Sequence, residues 1–376
     1  MSESMNTVYS IFDKRILIRS SDQFISDILK EELSLYPILE NSPHDIIVDY
    51  LEEVDMTGLL SSNPSIHQLT NDGFIYHMGA VIVKYYFEES EVTKISFGLK
   101  KASATMRILR KCMSMQFTSH KEAIGQWIHE HVLVPYAFTN DHLSLVHASA
   151  VRSNTGKTFL FGGTGGVGKT SLEITLCKDH NAAFISDDIC VINDKGQVSP
   201  NLAYPKVYAY NIQGDQKTKD LIFKNRSLPD KLHYFLHSLR GKQFTRRRIS
   251  PKDFYGDVVN SKIKLDAFLI LFRCETDKIS FEQITAEKAS KLNRQVISRE
   301  YNVFFDHLVW NSYNNLALGQ PEKLNYDQLI DKNETVFAKA LNASAKCWLV
   351  KIPMRIDHRR YQKEMVESLR ELGFFE

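Results

Sequence analysis

The sequence predicts an α/β protein, a mixed-sheet core preceded by an N-terminal α+β accessory domain, and three observations carry that expectation. A strand, a glycine-rich loop, a helix and another strand follow one another between residues 143 and 187, the alternation of an α/β sheet. Residues 1–117 read instead as short strands broken by turn-forming residues. The chain has 376 residues, 43% of them hydrophobic, which suits two domains or one large core with an extension.

Taken in order, Val8–Phe12, Arg15–Arg19, Asp45–Leu51, Phe74–Phe87 and Val92–Leu99 are rich in β-branched and aromatic residues, several in alternation. Asn41-Ser42-Pro43, Ser61-Ser62-Asn63-Pro64 and Asn71-Asp72-Gly73 punctuate them. The second domain spans 118–376. It opens on a helix, with Ser119 as N-cap and Glu122 three residues on, a capping-box spacing. Ile124, Trp127, Ile128 and Val132 make its buried stripe. Strands follow at Leu143–Val151 and Thr158–Gly162, a helix at Lys169–Lys178, and strands at Ala182–Asp187 and Ile189–Ile192. Further on, Lys264–Phe272 and Lys346–Ile352 read as strands of the same sheet and Asp357–Leu372 as a closing helix.

Composition narrows the function classes. A formal net charge of +2 gives no global reason to bind nucleic acid. The five cysteines form no CxxC pair, which argues for free thiols in a reducing compartment over a disulfide framework or structural zinc. The polar start has no apolar segment of signal-peptide type, and the apolar runs are strand-sized. A cytoplasmic protein with no membrane partner is expected, and a homo-oligomer is compatible with it.

The chemistry concentrates in three places. Gly163-Thr164-Gly165-Gly166-Val167-Gly168-Lys169-Thr170 fits GxxxxGK[ST], and Ser171 follows it. Glycines let such a loop bring backbone N–H groups to phosphate oxygens, and the helix N-terminus favours the anion. Lys169 would contact the β/γ-phosphates, and the Thr170 hydroxyl would ligate Mg²⁺. An apolar strand before and a helix after supply the context this motif needs. Asp187-Asp188 closes the next strand, where an open parallel sheet would set both carboxylates beside the loop. The plain alternative is an acidic turn. His147, in Val146-His147-Ala148-Ser149-Ala150, would lie near the phosphates if its strand neighbours the loop; a lone histidine in a strand is otherwise a packing residue.

In this order, HASA, FGGTGGVGKTS, and SDD followed by the turn Asn193-Asp194-Lys195-Gly196 resemble the superfamily of HPr kinase/phosphorylase and phosphoenolpyruvate carboxykinase, over about His147 to Pro205. The resemblance implies a P-loop mixed-sheet kinase core of that type, using ATP and Mg²⁺ with room for a second divalent metal. It also implies Thr170 on the nucleotide metal, His147 and Asp188 either on a second metal, as in the carboxykinases, or lining the site, as in the HPr kinases, and Asp187 as general base. The chain departs from the pattern at Tyr204-Pro205-Lys206-Val207-Tyr208, where no Glu-Ile-Arg-Gly-type segment follows, and it lacks the substrate segments of a carboxykinase. A divergent relative is therefore expected.

Residues 206–260 are rich in cations, including Lys206, Arg246, Arg247 and Arg248. They are read as a lid or acceptor-docking platform; the alternative is a solvated surface. Aromatic residues are not interleaved for base stacking, so nucleic acid is not the expected partner. The function expected from sequence is an ATP-dependent kinase acting on a hydroxyl of a small molecule or a protein serine. The rival is a regulatory NTPase that switches a partner without a phosphorylated acceptor.

Overall fold

The computed structural model describes residues 5–40, 42–89, 91–100, 102–116, 120–212 and 215–376. Ser119, the expected helix cap, lies outside them. The architecture is mixed α/β, with mixed sheets in both halves of the chain.

The N-terminal half is built on β1 (Met5–Ile11), β2 (Lys14–Ser20), β3 (Ile46–Tyr50), β4 (Leu59–Ser61), β5 (His67–Thr70), β6 (Gly73–Met78), β7 (Val81–Glu88) and β8 (Glu91–Leu99). They lie in the order β1-β2-β3-β8-β7-β6-β5-β4. Strand β3 is parallel to both neighbours, and the other pairs are antiparallel. The single run expected over Phe74–Phe87 is a hairpin that turns at Gly79, whose φ is +58°. Helix α1 (Gln23–Glu32), capped by the Asp22 carboxylate, was not anticipated.

Helices α2 (Ala104–Met113), α3 (His120–Ile128) and α4 (Val134–Thr139) lead into the second half, the last two joined by a π-turn over His129–Leu133. Then come β9 (Leu143–Arg152), β10 (Thr158–Gly162), α5 (Lys169–Asp179), β11 (Ala183–Ser186), β12 (Ile189–Asn193), β13 (Gln197–Ser199) and β14 (Lys206–Tyr208). Helices α6 (Gln216–Phe223) and α7 (Leu228–Arg240), strand β15 (Arg246–Arg248), helix α8 (Pro251–Tyr255), and strands β16 (Ile263–Lys264), β17 (Ala267–Cys274) and β18 (Ser280–Ile284) follow. The chain closes with α9 (Ala286–Glu300), α10 (Asn302–Ala317), α11 (Tyr326–Ser344), β19 (Lys346–Pro353) and α12 (His358–Glu371). Among the described residues no helix is long and apolar enough to cross a membrane.

The second sheet runs β16-β13-β12-β9-β10-β17-β19-β18, with β11 also on β9. Alternation assigns its two faces. On β9, Val146, Ala148 and Ala150 join the apolar cluster that contains Ala289 of α9 and Phe337 of α11. The odd-numbered Leu145 and Val151 join the cluster of Leu172 on α5 and Leu369 on α12. His147 and Ser149 share that odd parity, so they point to the face of α5 and the glycine loop.

One expectation about this sheet needs correction. The acidic pair does not stand at the end of a parallel strand. Both β11 and β12 run antiparallel to β9, and Asp187-Asp188 bows out between them, with Asp188 at φ +71°. Apolar residues on either side keep β11 and β12 seated on β9, so the acids are presented from the middle of a continuous edge.

Candidate active site

The loop between β10 and α5 is set by steric demands. Gly163 has φ +134°, and a Cβ there would stand 2.6 Å from the Leu271 carbonyl oxygen; Gly168 has φ +111°, and a Cβ there would meet the Tyr361 ring at 2.8 Å. Neither position accepts a side chain. Val167 is buried and fixes the loop to the core. Thr164, Gly165 and Gly166 face outward.

Lys169 begins α5 and folds back over this loop. Its Nζ donates to the carbonyl oxygens of Gly163 at 2.9 Å and Thr164 at 3.0 Å. Burial pushes its pKa down, against the opposing pull of Asp188, Asp187 and Glu300. The Thr170 hydroxyl donates to Asp187 Oδ1 at 3.0 Å, and the Ser149 hydroxyl donates to the same oxygen at 2.9 Å. Ser171 turns the other way and accepts from Asn211 Nδ2 at 3.2 Å.

His147 holds the other acid. Its Nδ1 lies 3.0 Å from the Gly163 carbonyl oxygen, and its Nε2 lies 3.2 Å from Asp188 Oδ1. A carbonyl only accepts, so Nδ1 carries a proton. In the neutral ring Nε2 is then a lone pair aimed at a carboxylate, an arrangement that asks for a proton or a cation between them. The backbone of His147 is itself fixed, its N–H donating to Asn293 Oδ1 at 3.3 Å.

The acids therefore separate by face and environment. Burial raises the pKa of Asp187, the nearby Asp188 charge adds to it, and the hydrogen bonds from Ser149 and Thr170 oppose it. Burial also pushes on Asp188, although 62% of its side chain is open. The hydrogen bond with His147 and the charges of Lys206, His147 and Lys169 outweigh it and hold Asp188 well below the usual carboxylate range. Beneath Asp187, burial lifts the Glu173 carboxyl well above its ordinary value, with Asp187 the next cause.

The basic segment divides. Lys206 on β14 is ion-paired with Glu130 and close enough to act on Asp188. Arg246 donates to the Tyr208 hydroxyl at 3.0 Å. The expectation of a cationic platform does not hold for Arg247 and Arg248. Arg247 is buried and donates from Nε to Asp230 Oδ1 at 2.7 Å; Arg248 is buried and donates from Nη2 to Glu32 Oε1 at 2.5 Å. A three-residue strand alternates its sides, and both arginines found acids inside the protein.

The geometry thus brings His147, the loop, Lys169, Thr170, Asp187, Asp188 and Lys206 together. Sequence reasoning missed Ser149, Asn293, Glu130 and Glu300. The period-2 alternation from His147 pointed to Ser149; nothing local pointed to the other three. Among the described residues no group of three or more His, Cys, Asp or Glu is arranged to hold a metal ion. A loop threonine, one acid and phosphate oxygens still suit Mg²⁺, which keeps several waters, and the Nε2 of His147 facing Asp188 is a fitting donor pair for a second cation.

No protein-family model matches the sequence, and no curated protein matches it. Among solved structures, an HPr(Ser) kinase/phosphatase from Coxiella burnetii is similar over 61% of this chain and 97% of that one, with 9% identity and a TM-score of 0.28. A likeness of that size bears on neither activity nor substrate.

Proposed function

We propose that this site is the centre of a phosphotransferase that moves the γ-phosphoryl group of ATP to an acceptor hydroxyl. The observation that carries the reading is the convergence on one glycine loop of a buried lysine, a threonine hydroxyl and two carboxylates in opposite electrostatic states. Loop N–H groups and Lys169 hold the β/γ-phosphates and take up charge as the phosphoryl group transfers. Asp187, held by Ser149 and Thr170, receives the acceptor hydroxyl's proton, and its raised pKa suits a base. Thr170 would hold the nucleotide's Mg²⁺, and His147 with Asp188 a second divalent ion. Such ions would neutralise phosphate charge. Lys206 stands opposite Asp188 as a cation for the acceptor or the transferring group.

Incubation of the protein with γ-labelled ATP, Mg²⁺ and a pool of metabolites and proteins tests this. Label transferred to an acceptor, and lost in Lys169→Ala, is the expected result. Release of labelled phosphate alone would replace the kinase reading with the regulatory NTPase.

A further inference from the structure

Glu300 is the last residue of α9, where the partial negative charge of a helix C-terminus disfavours a carboxylate. A partner compensates it. The Gly165 N–H donates to Glu300 Oε1 at 2.9 Å. The three atoms nearest to a Cβ placed on Gly165, its chain neighbours aside, are the carboxyl atoms of Glu300, the closest at 3.4 Å. The contact joins residues 135 apart in sequence and lies on the outward side of the loop. A carboxylate oxygen on a bent glycine-loop amide has the charge and acceptor geometry of a phosphate oxygen.

We infer that Glu300 is the resident anion of this loop, a built-in competitor that an incoming phosphate displaces from the Gly165 amide. The inference rests on the reading of the loop as a nucleotide site and adds a determinant of what may enter. Tyr301, the next residue, is anchored: its hydroxyl donates to the Glu130 carbonyl oxygen at 2.5 Å, and its ring meets Phe305 edge-on at 5.6 Å between centroids. The helix end therefore stays in place, and displacement is a swing of one exposed side chain. A ligand must recover the lost hydrogen bond and tolerate the carboxylate nearby. Metal-complexed polyphosphates, which bring compensating charge and several contacts, meet that demand; a single inorganic phosphate meets it poorly.

The test compares the full-length protein with Glu300→Ala and Glu300→Gln. Glutamine keeps an acceptor and removes the charge, so the two variants separate hydrogen bonding from repulsion. Calorimetric titration uses MgATP, magnesium pyrophosphate and inorganic phosphate at low salt. Both ligands with several phosphates should bind about 1.5- to fivefold tighter to Glu300→Ala, the range of an exposed ionic contact, with Glu300→Gln in between. The gain should be larger for inorganic phosphate, and hydrogen exchange at Gly165 in the ligand-free variant should be faster. Unchanged or weaker affinities in both variants, with wild-type MgATP binding intact, overturn the competitor role and leave the nucleotide reading standing. Absence of MgATP and pyrophosphate binding in all three proteins overturns the nucleotide reading, and the competitor role falls with it.

Discussion

Lys169 donates to the carbonyls of its own loop, so removing it breaks only contacts that ligand binding would itself replace. Lys169→Ala is expected to abolish ATP binding by calorimetry while the far-ultraviolet circular dichroism stays unchanged. The acidic pair should separate. Asp187→Asn is expected to lower turnover by about 10²–10⁴-fold with nucleotide affinity largely kept, the range for loss of a general base. Asp188→Asn should raise the metal concentration needed for half-maximal rate. Metal titrations of both variants decide it, and identical behaviour would refute the division. The loop, Lys169, Thr170 and the acids were legible because phosphate recognition confines them to consecutive residues. The partners that tune them were not: Ser149 is read only once β9 is known to alternate, and Glu300 reaches Gly165 from another helix end. Such contacts are properties of packing, which no local spacing encodes.

At the scale of the element, the ribbon of β14 and β15 is the clearest departure from expectation. A run of three arginines looks like a solvated cationic surface. In the fold, β15 pairs with β14, from Lys206↔Arg248 to Tyr208↔Arg246, and sends two guanidinium groups inward. Arg247→Ala should therefore lower unfolding free energy by about 3 kcal/mol, as expected when a buried ion pair loses one member. Arg246→Ala should change it by no more than about 0.5 kcal/mol. Urea denaturation measures both, and equal effects would contradict the inward placement. The strands of the second sheet were readable from their apolar alternation. Helices α9, α10 and α11 were not, because asparagines occupy core-facing positions where the apolar stripe should be. Asn293, Asn311, Asn314, Asn315 and Asn333 are all buried. Asn333 explains the substitution: its Oδ1 accepts from the Leu145 N–H at 2.6 Å and its Nδ2 donates to the Leu145 carbonyl at 3.2 Å. Asn293 and Asn333 pin α9 and α11 to β9 by hydrogen bonds, while Asn314 of α10 bonds to the Asn63 carbonyl, and a hydrophobic period does not register such contacts.

Over the whole molecule, the two sheets share one apolar cluster, from Met5 to Phe375. Part of their junction is aromatic and titratable. His67 on β5 stacks on Phe74 and His307, at 5.2 and 5.8 Å between centroids, and His307 stacks on Tyr76 at 4.4 Å. Among the described residues neither ring nitrogen of His67 has a hydrogen-bond partner. Burial pushes His67 down to about 3 and His307 down to about 4, with neighbouring histidines adding to both shifts. The folded state thus resists protons that the unfolded chain takes up near the ordinary value of 6.5. Their contribution is complete above that value and is lost as pH falls toward 4 and 3. The urea midpoint should decline between pH 7 and 5.5, above the carboxylate range, and His67→Phe should flatten the decline. A midpoint independent of pH in that window would refute it.

The pair of Glu32 with Arg248 also constrains how the chain is made. Its members lie 216 residues apart, and the Tyr36 hydroxyl accepts from the Leu202 N–H at 2.8 Å across 166 residues. A nascent chain still short of residue 202 has the segment from Glu32, the end of α1, to Tyr36 without either contact, so Glu32 lacks the Arg248 guanidinium and the Tyr36 hydroxyl lacks the Leu202 N–H. The N-terminal strands can pair early, but the surface that α1 presents is completed only when β15 has left the ribosome. Contacts of such long sequence separation slow folding and prolong exposure of apolar faces. Synthesis of this protein therefore carries a waiting period between residues 32 and 248, during which the face of α1 that Arg248 covers stays open to solvent.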